Sequence, residues 1–130
     1  MPKSITITTV DYQHISSLLD NMPTLTEDMT QLEDEINRAE IVSPHEIKNN
    51  IVTMNSTVSF KFTDEDDVIE KILVYPHQVN SNQHISILAP IGMALLGLKI
   101  GQSIDWALPN GKRKTIQIID VIYQPETSIP

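Results

Sequence analysis

The 130-residue sequence contains no cysteine, which excludes disulfide bonds, thiolate metal sites and a cysteine nucleophile. It also has no run approaching the roughly 18 apolar residues that span a bilayer. The opening MPKSITITTVDYQH is not a signal peptide, because its apolar part is short and alternates with threonine. We therefore expect a cytoplasmic protein with no membrane contact.

Motifs of catalysis and cofactor binding are equally scarce. The sequence has no serine in a nucleophile elbow and no glycine-rich phosphate loop. Its histidines have no metal-ligand spacing, and they are scattered as His14, His45, His77 and His84. We predict no enzyme activity, no cofactor and no metal site.

Basic residues are few, and the negative charge is concentrated in the first part of the chain. The formal net charge is −8, of which residues 1–50 contribute −6 through nine acidic and three basic side chains. A surface this negative repels phosphate backbones, so we expect no direct binding of nucleic acid. A basic groove on a partner protein suits it better.

The first part of the chain predicts two helices after a short extended segment. Ile5 and Ile7 alternate with threonine, as in a strand. A helical spacing then follows, and Pro23 ends it. The apolar residues at that spacing are Ile15, Leu18, Leu19 and Met22.

A second helix is predicted over residues 28–41. Thr24 and Glu27 match a capping box, and Ser43-Pro44 marks the end. The helix has a narrow apolar seam, formed by Met29, Leu32, Ile36 and Ala39. Two helices with matching stripes and a short connection predict an antiparallel coiled-coil hairpin over residues 1–46.

Residues 51–126 predict several antiparallel strands around one short helix, an α+β architecture. The helix lies in APIGMALLGLKIGQ, with Pro90 at its start and Gly97 at its end. It is apolar on every side, so we expect it to be buried. The strands are predicted in IVTMNSTVSFKF, VIEKILVYPH, HISIL, SIDWALP and RKTIQIIDVIYQ, with a turn at Asn110-Gly111 and a frayed tail PETSIP.

Several of these segments resemble the Gre transcript-cleavage factor family and its relatives. They are VTMNSTVSF, LVYPH, ISILAPIGMALLGLKIGQSIDWALPNG and VIYQPE, which lie at the family's spacing. The similarity is close over about residues 35–126 and looser over residues 5–34. It implies an FKBP-like C-terminal domain that docks on core RNA polymerase at the rim of the secondary channel, and a short coiled coil that points toward the channel.

The resemblance also implies a docking loop just before the buried helix. That loop consists of Leu88, Ala89 and Pro90, and Gly92 follows it. Pro90 and Gly92 match the family pattern. The pattern has an acidic residue at the position of Leu88 and a serine at that of Ala89.

Acidic side chains lie near the predicted hairpin tip, at Asp20, Glu27 and Asp28. Gre factors carry a tip carboxylate pair that helps to hold a catalytic magnesium of the polymerase. Here Glu27 and Asp28 also suit the start of a helix, where carboxylates complement its dipole. A second helix of about 14 residues, or roughly 20 Å, is shorter than a Gre coil, so we predict that this chain does not stimulate transcript cleavage.

Together with the resemblance, these features predict a monomeric regulator that binds RNA polymerase and competes with Gre factors. Two alternatives remain open: an enzyme-like factor that acts through tip carboxylates or as a prolyl isomerase, and an adaptor that binds other proteins through the seam of helix two. TDEDD at 63–67 is predicted to be a solvated turn rather than a calcium loop. The basic NGKRK at 110–114 is predicted to be a solvated hairpin or a partner contact.

Overall fold

The computed structural model describes residues 5–107 and 111–128. Asn110 of the predicted turn lies outside these residues. Gly111 has a φ of +83°, a left-handed conformation that favours glycine and is typical of tight turns.

The N-terminal part is a helical hairpin whose two ends are joined by a small sheet. Strand β1 (Thr6–Thr8) leads into helix α1 (Thr9–Asp20), and helix α2 (Glu27–Arg38) leads into strand β2 (Glu40–Val42). The two strands pair in parallel, with Thr6 opposite Glu40. The sheet therefore closes the open end of the hairpin.

Both ends of α2 differ from the prediction. The N-cap is Thr26, whose Oγ1 accepts the Met29 N–H at 3.1 Å, so Thr24 is not the cap. At the other end Ala39 is already extended, and the Glu40 N–H donates to the Ile5 carbonyl at 3.0 Å. Pairing with β1 thus overrides the helical spacing that predicted a helix to residue 41.

The second part contains a five-stranded sheet in the order β5-β4-β3-β7-β6. The strands are β3 (Thr57–Phe62), β4 (Ile69–Val74), β5 (His84–Ser86), β6 (Ser103–Ala107) and β7 (Arg113–Tyr123). Three neighbouring pairs are antiparallel, but β4 and β5 are parallel, so the prediction of purely antiparallel strands was wrong there. A strand parallel to its predecessor needs a connection that returns the chain to the start of that predecessor, which a two-residue hairpin cannot do. Residues 75–83, which include a 3₁₀ turn at Pro76–Gln78, form this connection between β4 and β5.

Helix α3 (Pro90–Leu95) packs in the hydrophobic core, as its sequence predicts. Its neighbours Leu96 and Leu98 are fully buried. The α+β class is therefore confirmed. The hydrophobic cluster also includes residues of both hairpin helices, namely Ile15, Leu19, Leu32 and Ile36.

Residues before and after the sheet differ from the prediction. The predicted strand from residue 51 begins only at Thr57, because Asn55 adopts a positive φ of 68° in a turn. Its Val52 and Met54 are nevertheless buried. The tail was predicted to be frayed, but its described part, Pro125–Ser128, forms a 3₁₀ turn.

Candidate docking loop, hairpin tip and hairpin base

The predicted docking loop is held by its own hydrogen bonds. Ser86 Oγ accepts the Leu88 N–H at 3.0 Å, and the Ser86 carbonyl accepts the Ala89 N–H at 3.0 Å. Ala89 is the N-cap of α3 and makes no side-chain capping bond. Leu88, Ala89 and Pro90 are all half-buried. Because their side chains are apolar, the exposed part of the loop is a small, mainly apolar surface.

Gly92, which the resemblance places next to the docking loop, is buried in α3. A Cβ atom added there would lie 2.0 Å from the Ser86 carbonyl oxygen. Helix α3 can approach the end of β5 this closely only because the residue has no side chain. Gly92 thus permits the close packing of α3 on β5, the two elements that flank the predicted docking loop.

The three acidic residues of the predicted tip do flank the turn between the helices. Asp20 is the last residue of α1, while Glu27 and Asp28 open α2. Asp20 and Glu27 are exposed, and Asp28 is half-buried. Glu27 and Asp28 lie in the first turn of α2, where carboxylates complement the helix dipole.

A buried carboxylate at the hairpin base was not predicted. Asp11, in the first turn of α1, is only 5% exposed, and its Oδ2 accepts the Met54 N–H at 3.1 Å. Its own N–H donates to Thr8 Oγ1 at 3.0 Å. Burial raises the pKa of Asp11 to about 7, although the Met54 hydrogen bond opposes this, and the negative charge of Glu126 raises it further. The pattern Thr8-x-x-Asp11 before an apolar helix could have revealed the cap, but not the contact with Met54.

The C-terminal 3₁₀ turn also contacts the segment that contains Met54. Thr53 Oγ1 donates to Glu126 Oε1 at 2.7 Å. The buried Gln124 Nε2 donates to the carbonyls of Lys48 and Ile51 at 2.7 and 2.8 Å. The tail therefore fastens the linker that joins the hairpin to the sheet.

Tyr75 lies beside this polar group. Its hydroxyl is buried without a hydrogen-bond partner, and burial, with smaller effects of Asp11 and Glu126, raises its pKa well above the usual range. Its ring stacks on His77 with centroids 6.1 Å apart and meets His14 edge-on at 5.8 Å. His14 and His77 thus pack against an aromatic ring.

Other polar features of the sequence have structural roles. TDEDD belongs to the connection between β3 and β4. Two of its carboxylates form ion pairs with Lys114, whose Nζ lies 3.3 Å from Glu65 Oε1 and 3.9 Å from Asp64 Oδ2. Lys114 also sits over the Phe62 ring. Within residues 5–107 and 111–128, no group of three or more histidine or acidic side chains could hold a metal ion.

Within the described residues, no helix is long and apolar enough to cross a membrane. The aromatic side chains Phe60 and Trp106 are buried in the hydrophobic core.

Comparisons with known proteins place these elements in one family. The family described as "Transcription elongation factor, GreA/GreB, C-term" matches residues 47–123, and "Rnk N-terminus" matches residues 3–42. The chain is 42% identical to the regulator of nucleoside diphosphate kinase from Escherichia coli K12 over 98 residues, which are 75% of this chain and 72% of that protein. It is 33% identical to GreA from Beijerinckia indica, over 74% of this chain and 61% of that protein.

A solved structure shows the same fold. The prokaryotic transcription elongation factor GreA/GreB from Nitrosomonas europaea superposes with a TM-score of 0.77 at 39% identity, covering 93% of this chain and 99% of that one. The named relatives of this chain are regulators or elongation factors rather than enzymes. The resemblance read from the residues is confirmed, and the chain belongs to the GreA/GreB family, as a member that carries the Rnk N-terminal region.

Proposed function

We propose that this protein regulates transcription by binding core RNA polymerase at the rim of its secondary channel. In this proposal it competes with Gre factors and does not stimulate transcript cleavage. The FKBP-like domain of residues 51–126 supplies the affinity, and residues 1–46 form a short coiled coil at the channel. The protein acts as a cytoplasmic monomer, and any effect on nucleoside diphosphate kinase is indirect, through transcription.

The shape of the docking loop is the observation that carries this proposal. Hydrogen bonds from Leu88 and Ala89 to Ser86 hold the loop in one conformation before binding. A preorganised loop loses little entropy on association. Since Leu88 and Ala89 replace polar residues of the Gre pattern, the contact here is mainly apolar.

The length of the hairpin supports regulation without cleavage. Each helix has 12 residues, so the hairpin extends about 18 Å. Asp20 and Glu27 therefore lie too close to the globular domain to reach the catalytic magnesium if the docking is the same.

The adaptor alternative needs an apolar seam that is free for a partner. Leu32 and Ile36 are 1% and 0% exposed within this single chain, and Met29 packs against the same core. The seam of α2 is thus already used inside the molecule. This favours the polymerase-binding reading.

A competition assay tests the docking loop. Purified protein is mixed with core polymerase and a labelled Gre factor, and displacement of the label is measured at several salt concentrations. We expect Leu88→Lys and Ala89→Lys to weaken competition about tenfold or more, the size typical of central interface residues. The matched control is Val68→Lys, because Val68 is 55% exposed and lies in the β3–β4 connection.

Circular dichroism must show that all three variants fold. If Leu88→Lys and Ala89→Lys then compete as well as the unmodified chain, the proposed docking loop is wrong. If the unmodified chain fails to bind core polymerase at low salt, the function itself is wrong.

A cleavage assay separates the second candidate function. Stalled elongation complexes with labelled RNA are incubated with magnesium and the protein, and we expect no shortening of the RNA. RNA shortening that disappears in a Glu27→Gln variant would instead support a cleavage factor that acts through the tip.

A further inference from the structure

Three separate segments of the chain meet at the base of the hairpin. They are the first turn of α1 with Asp11, the turn 53–56, and the C-terminal 3₁₀ turn with Glu126. We call this contact the joint. It holds the start of α1 against the globular part, next to the apolar contacts that Ile15 and Leu19 make in the common core.

The contacts of the joint are polar but surrounded by the core. Asp11 Oδ2 accepts the Met54 N–H, and Glu126 Oε1 accepts the Thr53 hydroxyl from the same turn. The side chain of Asp11 is almost fully buried, one helical turn before Ile15, which is 0% exposed. Opening the joint would return this carboxyl group to water.

The ionised form of Asp11 is poorly stabilised when the joint is closed. Its stabilising contacts are the hydrogen bond from the backbone N–H of Met54 and a side-chain hydrogen bond with Thr8. The charged or titratable groups around it are the Glu126 carboxylate, which repels it, and the Tyr75 hydroxyl, which its charge keeps protonated. His14 follows one turn later on α1 and packs edge-on against the Tyr75 ring.

We propose that closure of the joint takes up a proton at Asp11, so that acidification tightens the hairpin against the globular part and higher pH loosens it. The proton comes from solvent and adds to a carboxylate oxygen when α1 docks. This property belongs to the free chain. Only its consequence for the position of the tip at the polymerase rests on the proposed function.

The direction follows from the two protonation equilibria. In the closed joint the pKa of Asp11 is raised to about 7 from its ordinary 3.8. The contribution to closure is therefore fully present below pH 3.8 and is lost as the pH rises through about 7. By linkage, the ratio of closed to open joint should be about tenfold higher at pH 6 than at pH 8.

Two measurements on the full chain test the proposal. The first is a carboxyl-carbon NMR titration of the unmodified protein, in which Asp11 should titrate near pH 7. The second is amide hydrogen exchange of α1 and α2 at pH 6 and pH 8, expressed as protection factors that remove the chemical effect of pH.

We expect protection of α1 to fall about tenfold from pH 6 to pH 8 in the unmodified chain. The variant Asp11→Asn keeps an oxygen acceptor for the Met54 N–H but cannot titrate, so its protection should no longer depend on pH. Glu126→Gln removes the repelling charge and should lower the titration midpoint of Asp11. Asp20→Asn, at the exposed end of the same helix, is the control and should behave like the unmodified chain.

An Asp11 midpoint near 4 would overturn the proposal without any variant. So would an equal pH dependence of protection in Asp11→Asn and in the unmodified chain.

Discussion

The hairpin and the globular part contribute to the same hydrophobic cluster, yet they are held in different ways. Around α3 the contacts are apolar on every side, and Leu95, Leu96 and Leu98 are fully buried. The hairpin joins this core through one face of each helix, and its base depends on two three-residue strands and the buried Asp11. Apolar packing is insensitive to pH, whereas a buried carboxylate is not, so we expect pH to act at the base of the hairpin rather than around α3.

The largest effect is expected where the globular part is most tightly packed. Gly92→Ala places a Cβ atom 2.0 Å from a backbone oxygen, and we expect a loss of about 3 kcal/mol in the free energy of unfolding, or failure to fold. The measurement is urea denaturation followed by the fluorescence of Trp106, the single tryptophan.

Gly101→Ala is the control for this substitution. Gly101 also has a positive φ, of 88°, but nothing lies within 4 Å of an added Cβ, so only the backbone strain of about 1 kcal/mol remains. Equal losses in the two variants would contradict the close approach of α3 to β5.

A core truncation in the hairpin tests whether the two parts unfold together. Leu32→Ala removes a side chain that is 1% exposed, and we expect a loss of about 2–3 kcal/mol. Because Leu32 belongs to the same cluster as Trp106, the loss should appear in the tryptophan transition as well as in the helical signal at 222 nm. Two separate transitions would show that the hairpin is an independent unit.

A cap substitution tests where α2 begins. Thr26→Ala loses the bond to the Met29 N–H, and we expect about 1 kcal/mol of destabilisation in the same denaturation experiment. The matched control is Thr24→Ala, which the sequence alone would have marked as the cap and which should have almost no effect. A larger loss from Thr24→Ala would restore the cap read from the sequence.

The smallest effect is expected at the surface of the sheet. Lys114→Met removes the ion pairs to Asp64 and Glu65, both of which are exposed, so we expect a change of about 0.5 kcal/mol or less. It should shrink further in 0.5 M salt. A loss above 1 kcal/mol would mean that the contact with the Phe62 ring matters more than the ion pairs.

Strong periodic signals were predicted well from the residues. The buried α3 between Pro90 and Gly97, the two hairpin helices and most strands lie close to the predicted positions. Errors occurred where a distant segment decided the local structure. Pairing of β2 with β1 ends α2 early, and the connection 75–83 makes β5 parallel to β4.

The candidate site divides in the same way. The loop before α3 was singled out through the resemblance to the Gre family, and the acidic residues of the tip through their position between two predicted helices. The structure has both segments where they were expected, because each is local in the chain, while their roles stay predictions. The joint could not, since Asp11 contacts Met54 and is influenced by Glu126, which lie 43 and 115 positions further along.

The order of residues alone determined the acidic charge, the buried apolar helix, the turn between two helices and the absence of thiol chemistry. These follow from composition and from spacing within about one helical turn or one hairpin. Only the tertiary structure decided which way the hairpin points and which carboxylate is buried at its base. The physical reason is that burial and the field of distant charges arise when remote segments meet, and no local pattern encodes which segments will do so.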